Sequence, residues 1–249
     1  MNRDIGFILQ VRLGSTRLPN KALANMHGVP LLEHLVRRVE CSGLLEDMPL
    51  IVATTATSRE IERYCAQRGL DCFIGEEEDV TGRVLDAARH FGLANLVRLQ
   101  GDDPLVCPYG LREIVAAHRT GSAEFTTTAH ASGWPVGMAA MAFRTDALER
   151  EYVRYGARNP DRLKKGFLPL DEVVFSSRFL RMADRAATGF FVTVDYPEDE
   201  RLVTEILTRI DPARSGYGFT VEQVAETLAG MGDTSNHHLH EPFSSARGS

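Results

Sequence analysis

Short apolar runs alternate with stretches of helical spacing through the first hundred residues. Residues 5–11 are almost entirely apolar up to Gln10, which predicts a buried strand of a parallel sheet. A polar loop with Gly14, Ser15, Pro19 and Asn20 follows. Residues 30–39 then place apolar side chains at helical spacing, with Pro30 at the first turn and Gly43 past the end. Residues 50–53 predict a second strand, and a helix capped by Ser58 runs to Gln67 and stops at Gly69. A third strand is expected at 72–74, a third helix over 79–91 and a fourth strand at 96–99. This alternation predicts a parallel, doubly wound α/β sheet.

The second half has a different pattern. Residues 125–128 and 139–143 predict strands, separated by a loop holding Trp134, Pro135, Val136 and Gly137. Residues 150–170 are rich in charge, with a turn at Arg158-Asn159-Pro160-Asp161, and predict an insertion outside the core sheet. A last strong strand is expected at 190–194, a helix opening at Pro197 and running to about Ile210, and a final helix over 221–228. The polar, Ser- and His-rich tail over 232–249 predicts disorder, and there is no internal repeat.

Composition narrows the function classes. The 249 residues include 28 Lys and Arg against 34 Asp and Glu, a net charge of −6. That balance argues against a nucleic-acid partner, which selects for a basic face. An anionic small molecule would need a local basic cluster or a metal. Cys41, Cys65, Cys72 and Cys107 stand apart with no C-x-x-C pair, which predicts free thiols in a cytoplasmic protein. No apolar stretch is long enough to span a bilayer, so no membrane association is expected.

The densest chemistry lies directly after the first strand. Gln10 to Lys21 holds Arg12, Gly14, Ser15, Arg17 and Lys21. Loops at the carboxyl ends of parallel strands are where open α/β sheets bind ligands. There, Gly14 lets backbone N–H groups approach phosphate oxygens while Arg and Lys neutralise them. The G-K-[ST] ending of a Walker A loop is missing, and so is a G-x-G-x-x-G pattern; the alternative is a solvated basic loop. Asp102 and Asp103 follow the fourth strand between Gly101 and Pro104, where a carboxylate can hold Mg²⁺ together with substrate phosphates. Asp102 is the candidate for the metal, and Asp103 is expected to cap the helix starting near Pro108. Asp195 ends the 190–194 strand and is either a second metal ligand or a helix N-cap. Glu198 and Asp199 fall in the first helical turn, where the dipole favours them.

The pattern R-x-x-S-x-R-x-P-x-K, carried by Arg12, Ser15, Arg17, Pro19 and Lys21, resembles the signature loop of the sugar-activating cytidylyltransferases. These are the acylneuraminate and CMP-Kdo synthetase group, and in particular the branch of spore coat polysaccharide biosynthesis protein F. Gly101-Asp102-Asp103-Pro104 and Val194-Asp195-Tyr196-Pro197-Glu198-Asp199 are similar to that family's two acid motifs. The chain departs in having Asn20 before the lysine, Tyr196 where Thr is usual and Gly82 in place of a larger residue. The resemblance spans residues 5–210. It implies the three-layer α/β/α fold of nucleotide-diphospho-sugar transferases, GT-A-like and Rossmann-like, with a mostly parallel mixed sheet. The catalytic domain would cover residues 1–231.

The resemblance also implies transfer of CMP from CTP to a small anionic acceptor with release of pyrophosphate. Arg12, Arg17 and Lys21 would hold the triphosphate, and Asp102 and Asp195 the cofactor, Mg²⁺ or alternatively Mn²⁺. The strand edge Leu9-Gln10-Val11, with Thr54, Arg83 and Gln100, would contact the nucleoside; Arg83 reads equally well as a surface helical arginine. Relatives carry a Pro-x-Gly loop near the acceptor where Trp134-Pro135-Val136-Gly137 stands here. Their R-E-H-V-T segment, which serves acceptor binding and homodimer contacts, is replaced by Lys164-Lys165-Gly166-Phe167-Leu168-Pro169-Leu170-Asp171-Glu172, inside an expected acceptor and dimer insertion over 150–178. Three other classes compete: a GT-A glycosyltransferase, a nucleotidyltransferase using another NTP and a non-catalytic nucleotide-binding protein. Adjacent acids rather than D-x-D argue against the first, and two acids beside a basic loop argue against the last. His27, His34, His90 and His118 are expected on loop or helix surfaces, Cys107 reads as a buried small side chain, and His237, His238 and His240 lack spaced metal partners.

Overall fold

A computed structural model describes residues 4–129, 133–159, 161, 167–182 and 190–232. In chain order the strands and helices are β1 Ile5–Gln10, β2 Asn25–Met26, β3 Val29–Pro30, α1 Leu31–Cys41, β4 Leu50–Thr55, α2 Arg59–Arg68, β5 Asp71–Gly75, α3 Val80–His90 and β6 Asn95–Gln100. They continue with α4 Pro108–Thr120, β7 Phe125–Thr127, β8 Met141–Arg144, α5 Thr145–Arg158, β9 Ser177–Phe179, α6 Pro197–Ile210, α7 Pro212–Ser215 and α8 Val221–Ala229. Among the described residues seven strands form one sheet in the order β5-β4-β1-β6-β8-β7-β9. The first four are mutually parallel, β8 runs antiparallel to both β6 and β7, and β9 is parallel to β7.

The strand side chains alternate between two apolar layers, which fixes the register. Phe7, Leu9, Val52, Val97 and Leu99 meet Leu35, Val39, Ile61, Leu111 and Ile114 from α1, α2 and α4. Ile8, Ile51, Ala53 and Leu96 face the other way, onto Val84, Leu85, Ala88 and Leu148 from α3 and α5. The result is the expected three-layer α/β/α sandwich with a mixed, mostly parallel sheet. A third cluster packs α6 and α8 against Leu31, Leu105 and Val194. It carries the C-terminal segment back to the carboxyl ends of β1 and β6.

Several local expectations change. Among the described residues, 190–194 form no strand of the sheet, and Phe191 makes an isolated bridge to Val136. Residues 150–158 belong to α5, and Phe167, Leu168, Leu170 and Phe175 pack on the α3–α5 layer before β9 joins the sheet edge. Ser58 precedes α2 without capping it through its side chain. His34 and His118 are buried, not on the surface. All four cysteines are free. Lys164, Lys165 and the tail from 233 onward, with its histidines, lie outside the described residues.

The buried histidines make stability depend on pH. Both His34 and His118 have a pKa lowered from the ordinary value, chiefly by burial. His118 is spent on neutral partners, with Nδ1 3.0 Å from Thr126 Oγ1 and Nε2 3.2 Å from Asn95 Oδ1. The unfolded chain takes up these protons near pH 6.5 and the folded chain only at lower pH, so acidification through that range favours unfolding. The stability advantage of the wild type over His118→Gln is therefore expected to shrink between pH 7.5 and 5.5. Thermal melts of both proteins at the two pH values check this, and a constant difference would contradict it.

Candidate active site

Three segments meet beyond the carboxyl ends of β1 and β6: the loop 11–20, the turn 101–103 and the segment 192–196. Main-chain contacts hold them together. The N–H of Gly101 donates to the Gln10 carbonyl at 2.8 Å, and a Cβ on Gly101 would fall 2.7 Å from Val11 Cβ. The Val192 N–H donates to the Val136 carbonyl at 2.9 Å, and that of Val194 to the Asp102 carbonyl at 2.8 Å. Gly137 has φ of +95°, and a Cβ there would lie 2.4 Å from the Thr193 nitrogen, so glycine is what lets these two chains run this close.

Asp195 is fixed from the other side by α6. Asp199 is fully buried, and its Oδ2 accepts the N–H groups of Asp195 and Tyr196 at 2.9 Å each. The N-cap is Tyr196, so Asp195 keeps its carboxylate free of the capping role considered for it. Asp199, expected only as a dipole-favoured acid, is thus what orients Asp195. Its signal was the N3 position of a capping box after Tyr196-Pro197.

The centre of the site is Lys21. Its Nζ donates to Asp195 Oδ1 at 2.8 Å, to the Val194 carbonyl at 2.8 Å and to Asp102 Oδ2 at 3.2 Å. The Lys21, Asp195 and Asp102 side chains are 11%, 16% and 30% exposed, so these charges meet in a half-desolvated recess. Burial alone would lower the Lys21 pKa, but the charges of Asp102 and Asp195 outweigh it and the pKa is raised. Arg17 Nη2 reaches Asp195 Oδ1 at 2.8 Å and lies over the Tyr196 ring, 5.2 Å from its centroid. Tyr196 therefore gives Arg17 a stacking surface that a threonine would lack.

The nucleotide-side candidates are arranged around Glu77. Arg12 Nη1 donates to the Glu77 carbonyl at 3.0 Å and lies 3.5 Å from its carboxylate. Thr57 donates to Glu77 Oε2 at 2.6 Å. That hydrogen bond, the leading cause, and the Arg12 and Arg83 charges hold the Glu77 carboxyl below the usual range. Ser58 Oγ accepts the Leu13 N–H at 3.0 Å, tying the start of α2 to the basic loop, and Ser15 Oγ accepts the Leu18 N–H at 3.3 Å. Gly14 sits beside Glu77, where a Cβ would approach Oε1 to 3.3 Å. Arg83 is buried, not a surface arginine, and its Nη1 donates to the Glu76 and Glu77 carbonyls. Leu9, Val11 and Thr54 are also buried. Glu77 carried no recognisable signal in the sequence.

Gln10 and Gln100 are joined through Arg98. Arg98 Nε donates to Gln10 Oε1 and Nη2 to Gln100 Oε1, both at 3.0 Å, and Gln100 passes the chain to Asp103 Oδ2 at 3.0 Å. Arg98 stacks on Phe167 at 3.9 Å, and burial lowers its pKa to about 10. Asp103 is buried, and burial followed by the Asp102 charge pushes its pKa up to about 7. It does not cap α4, whose N-cap is Cys107. Thus Lys21, Arg17, Asp102 and Asp195 come together in one recess, Arg12 stands across the loop on Glu77, and the two glutamines line the strand ends beside them.

A family model described as cytidylyltransferase matches residues 6–153. The chain belongs to the cytidylyltransferase family. It is a nucleotidyltransferase that uses CTP. This cytidylyltransferase is similar to the spore coat polysaccharide biosynthesis protein SpsF of Bacillus subtilis, at 29% identity over 79% of its own chain and 83% of that protein. It is also 35% identical to a 3-deoxy-manno-octulosonate cytidylyltransferase of an Acidovorax strain, over 50% of its own chain and 48% of that enzyme. Its fold matches that of a cytidylyltransferase from Leptospira borgpetersenii with a TM-score of 0.75 at 22% identity, covering 93% and 96% of the two chains. No helix among the described residues of this cytidylyltransferase is long and apolar enough to cross a membrane.

Proposed function

We propose that the protein transfers CMP from CTP to a small anionic acceptor, releasing pyrophosphate, with Asp102 and Asp195 holding a divalent cation. The observation that carries this reading is the convergence of both acids on one lysine of the basic loop. The donor set fits Mg²⁺ or Mn²⁺: two hard carboxylates from separate segments lie within reach of one point, and Mg²⁺ takes one or two carboxylates together with substrate phosphates. When bound, the ion supplies Lewis-acid stabilisation of charge at the α-phosphate.

The acceptor oxygen attacks the α-phosphorus, the bond to the pyrophosphate oxygen breaks, and the negative charge leaves with pyrophosphate. Arg12, Arg17 and Lys21 surround that charge as it grows and stabilise it electrostatically. Leu9, Gln10, Val11, Thr54, Arg83 and Gln100 support the nucleoside end. The buried ones act through the backbone or by holding the Glu76–Glu77 turn, as Arg83 does. The anionic acceptor is supported by likeness to a 3-deoxy-manno-octulosonate cytidylyltransferase, and a role in surface polysaccharide precursors by likeness to the spore coat protein.

The test incubates the protein with each NTP, Mg²⁺ and a panel of sugar acids, sugar phosphates and phosphonates, and follows pyrophosphate. CTP-dependent release with an anionic acceptor is expected. Absence of turnover across the panel, together with no thermal shift on adding CTP, would overturn the reading.

A further inference from the structure

Lys21 does more than face a phosphate. Its ammonium touches both metal-candidate carboxylates at once, at 2.8 and 3.2 Å, and is anchored by the neutral Val194 carbonyl between them. A divalent ion bound to the same oxygens would stand about 2.1 Å from them. It would then lie within a few ångströms of Nζ, where two positive charges repel strongly in a half-desolvated recess. The two cations therefore compete for these two oxygens in this arrangement.

The surroundings show which part can move. The Lys21 backbone starts a short 3-10 turn, Lys21–Leu23, whose Ala22 is buried and whose first carbonyl accepts the Ala24 N–H at 3.0 Å. The four-carbon stem is therefore the mobile part, and an ammonium on such a stem is a compact charge that can turn to a new partner. Arg17 also touches Asp195, but it is 52% exposed and is the weaker obstacle.

We infer that Lys21 and the divalent cation compete for the Asp102–Asp195 pair, and that an arriving triphosphate draws Lys21 off the acids and so admits the ion. The inference rests on the reading of Asp102 and Asp195 as cation ligands. It makes Lys21 an interlock: the acids are closed to free metal until a polyphosphate is present, and the same side chain that releases them then holds the substrate.

The experiment uses Mn²⁺ alone as the probe. Free Mn²⁺ is followed by electron paramagnetic resonance during titration of the nucleotide-free wild type, Lys21→Met, Lys21→Gln and the double variant Lys21→Met with Asp102→Asn, each checked for a native thermal transition. Both single variants are expected to bind Mn²⁺ on the order of tenfold more tightly than the wild type, because a charge facing the ion is gone. The double variant is expected to lose that gain. Equal or weaker Mn²⁺ binding by both single variants, no binding by any protein, or a gain that survives in the double variant would each overturn the inference. CTP turnover by the wild type is scored separately. Turnover without a gain in Mn²⁺ affinity sinks the interlock alone, whereas the gain without CTP turnover sinks the proposed activity and leaves the competition standing.

Discussion

Asp102→Asn is expected to lower CTP-dependent pyrophosphate release by on the order of 10³-fold while the protein stays folded. The substitution keeps the shape and leaves the Asp102 carbonyl bonded to the Val194 N–H, so the seam between the two acid segments survives. What disappears is one of the two negative charges that meet at Lys21. Losing a single group that stabilises developing charge costs about 10²–10³ in kcat in other enzymes, and a ligand to a catalytic ion is at the upper end. The Asp102 side chain is partly exposed, so its ion pair contributes at most about 1 kcal/mol to folding. A melting temperature close to wild type with lost turnover is the expected pair of results. Turnover within tenfold of wild type at saturating Mg²⁺ would remove Asp102 from the chemistry.

The largest effect on stability is expected at Arg38, which makes none of the contacts within the candidate site. Arg38 is fully buried in α1, and burial lowers its pKa to about 9. It donates to four carbonyls: Val106 and Tyr217 at 2.7 Å, Phe219 at 2.9 Å and Leu105 at 3.3 Å. Its guanidinium lies 3.6 Å from the centre of the Phe219 ring. One side chain thus ties α1 both to the chain leaving Asp102 and to the approach to α8. Arg38→Met fills much of the volume but leaves those oxygens without donors, at roughly 1–3 kcal/mol for each that stays dry. A loss of at least about 3 kcal/mol is expected in urea or thermal unfolding, with Arg38→Lys intermediate because an ammonium cannot serve all four. A loss below about 1 kcal/mol would mean that water replaces the guanidinium.

The nucleotide half was legible because its signals are local. The apolar runs of β1, β4 and β6 and the helical spacing of α1 to α3 each declare themselves within a dozen residues, and Pro197 to Ile210 matched α6 at both ends. The basic loop and both acids were readable because motif order places them together. The rest depends on partners distant in sequence. Residues 190–194 carry the composition of a strand, but among the described residues the Val192 and Val194 N–H groups donate to Val136 and Asp102. Ser58 has the right type and place for a cap, yet its hydroxyl serves Leu13 on another loop. Arg98 and Glu77 show no role until the fold supplies Gln10, Gln100, Phe167, Arg12 and Thr57 around them. His34 and His118 read as surface residues in the sequence, because a polar type on a helix gives no hint of what covers it, yet both are buried.

The seam at Gly137 has a practical meaning for engineering this scaffold. Val136–Gly137 and Val192–Thr193 are touching main chains, and the stretch between them includes β8, a central strand of the sheet, and α5, which packs on it. Both ends of that stretch are clasped beside Asp102 and Asp195. A graft from a relative that begins after Gly137 and ends before Val192 would exchange β8 as well, so it has to match β6 and β7 on either side of that strand. A crossover anywhere between Gly137 and Asp195 would instead need both sides of the clasp from the same parent.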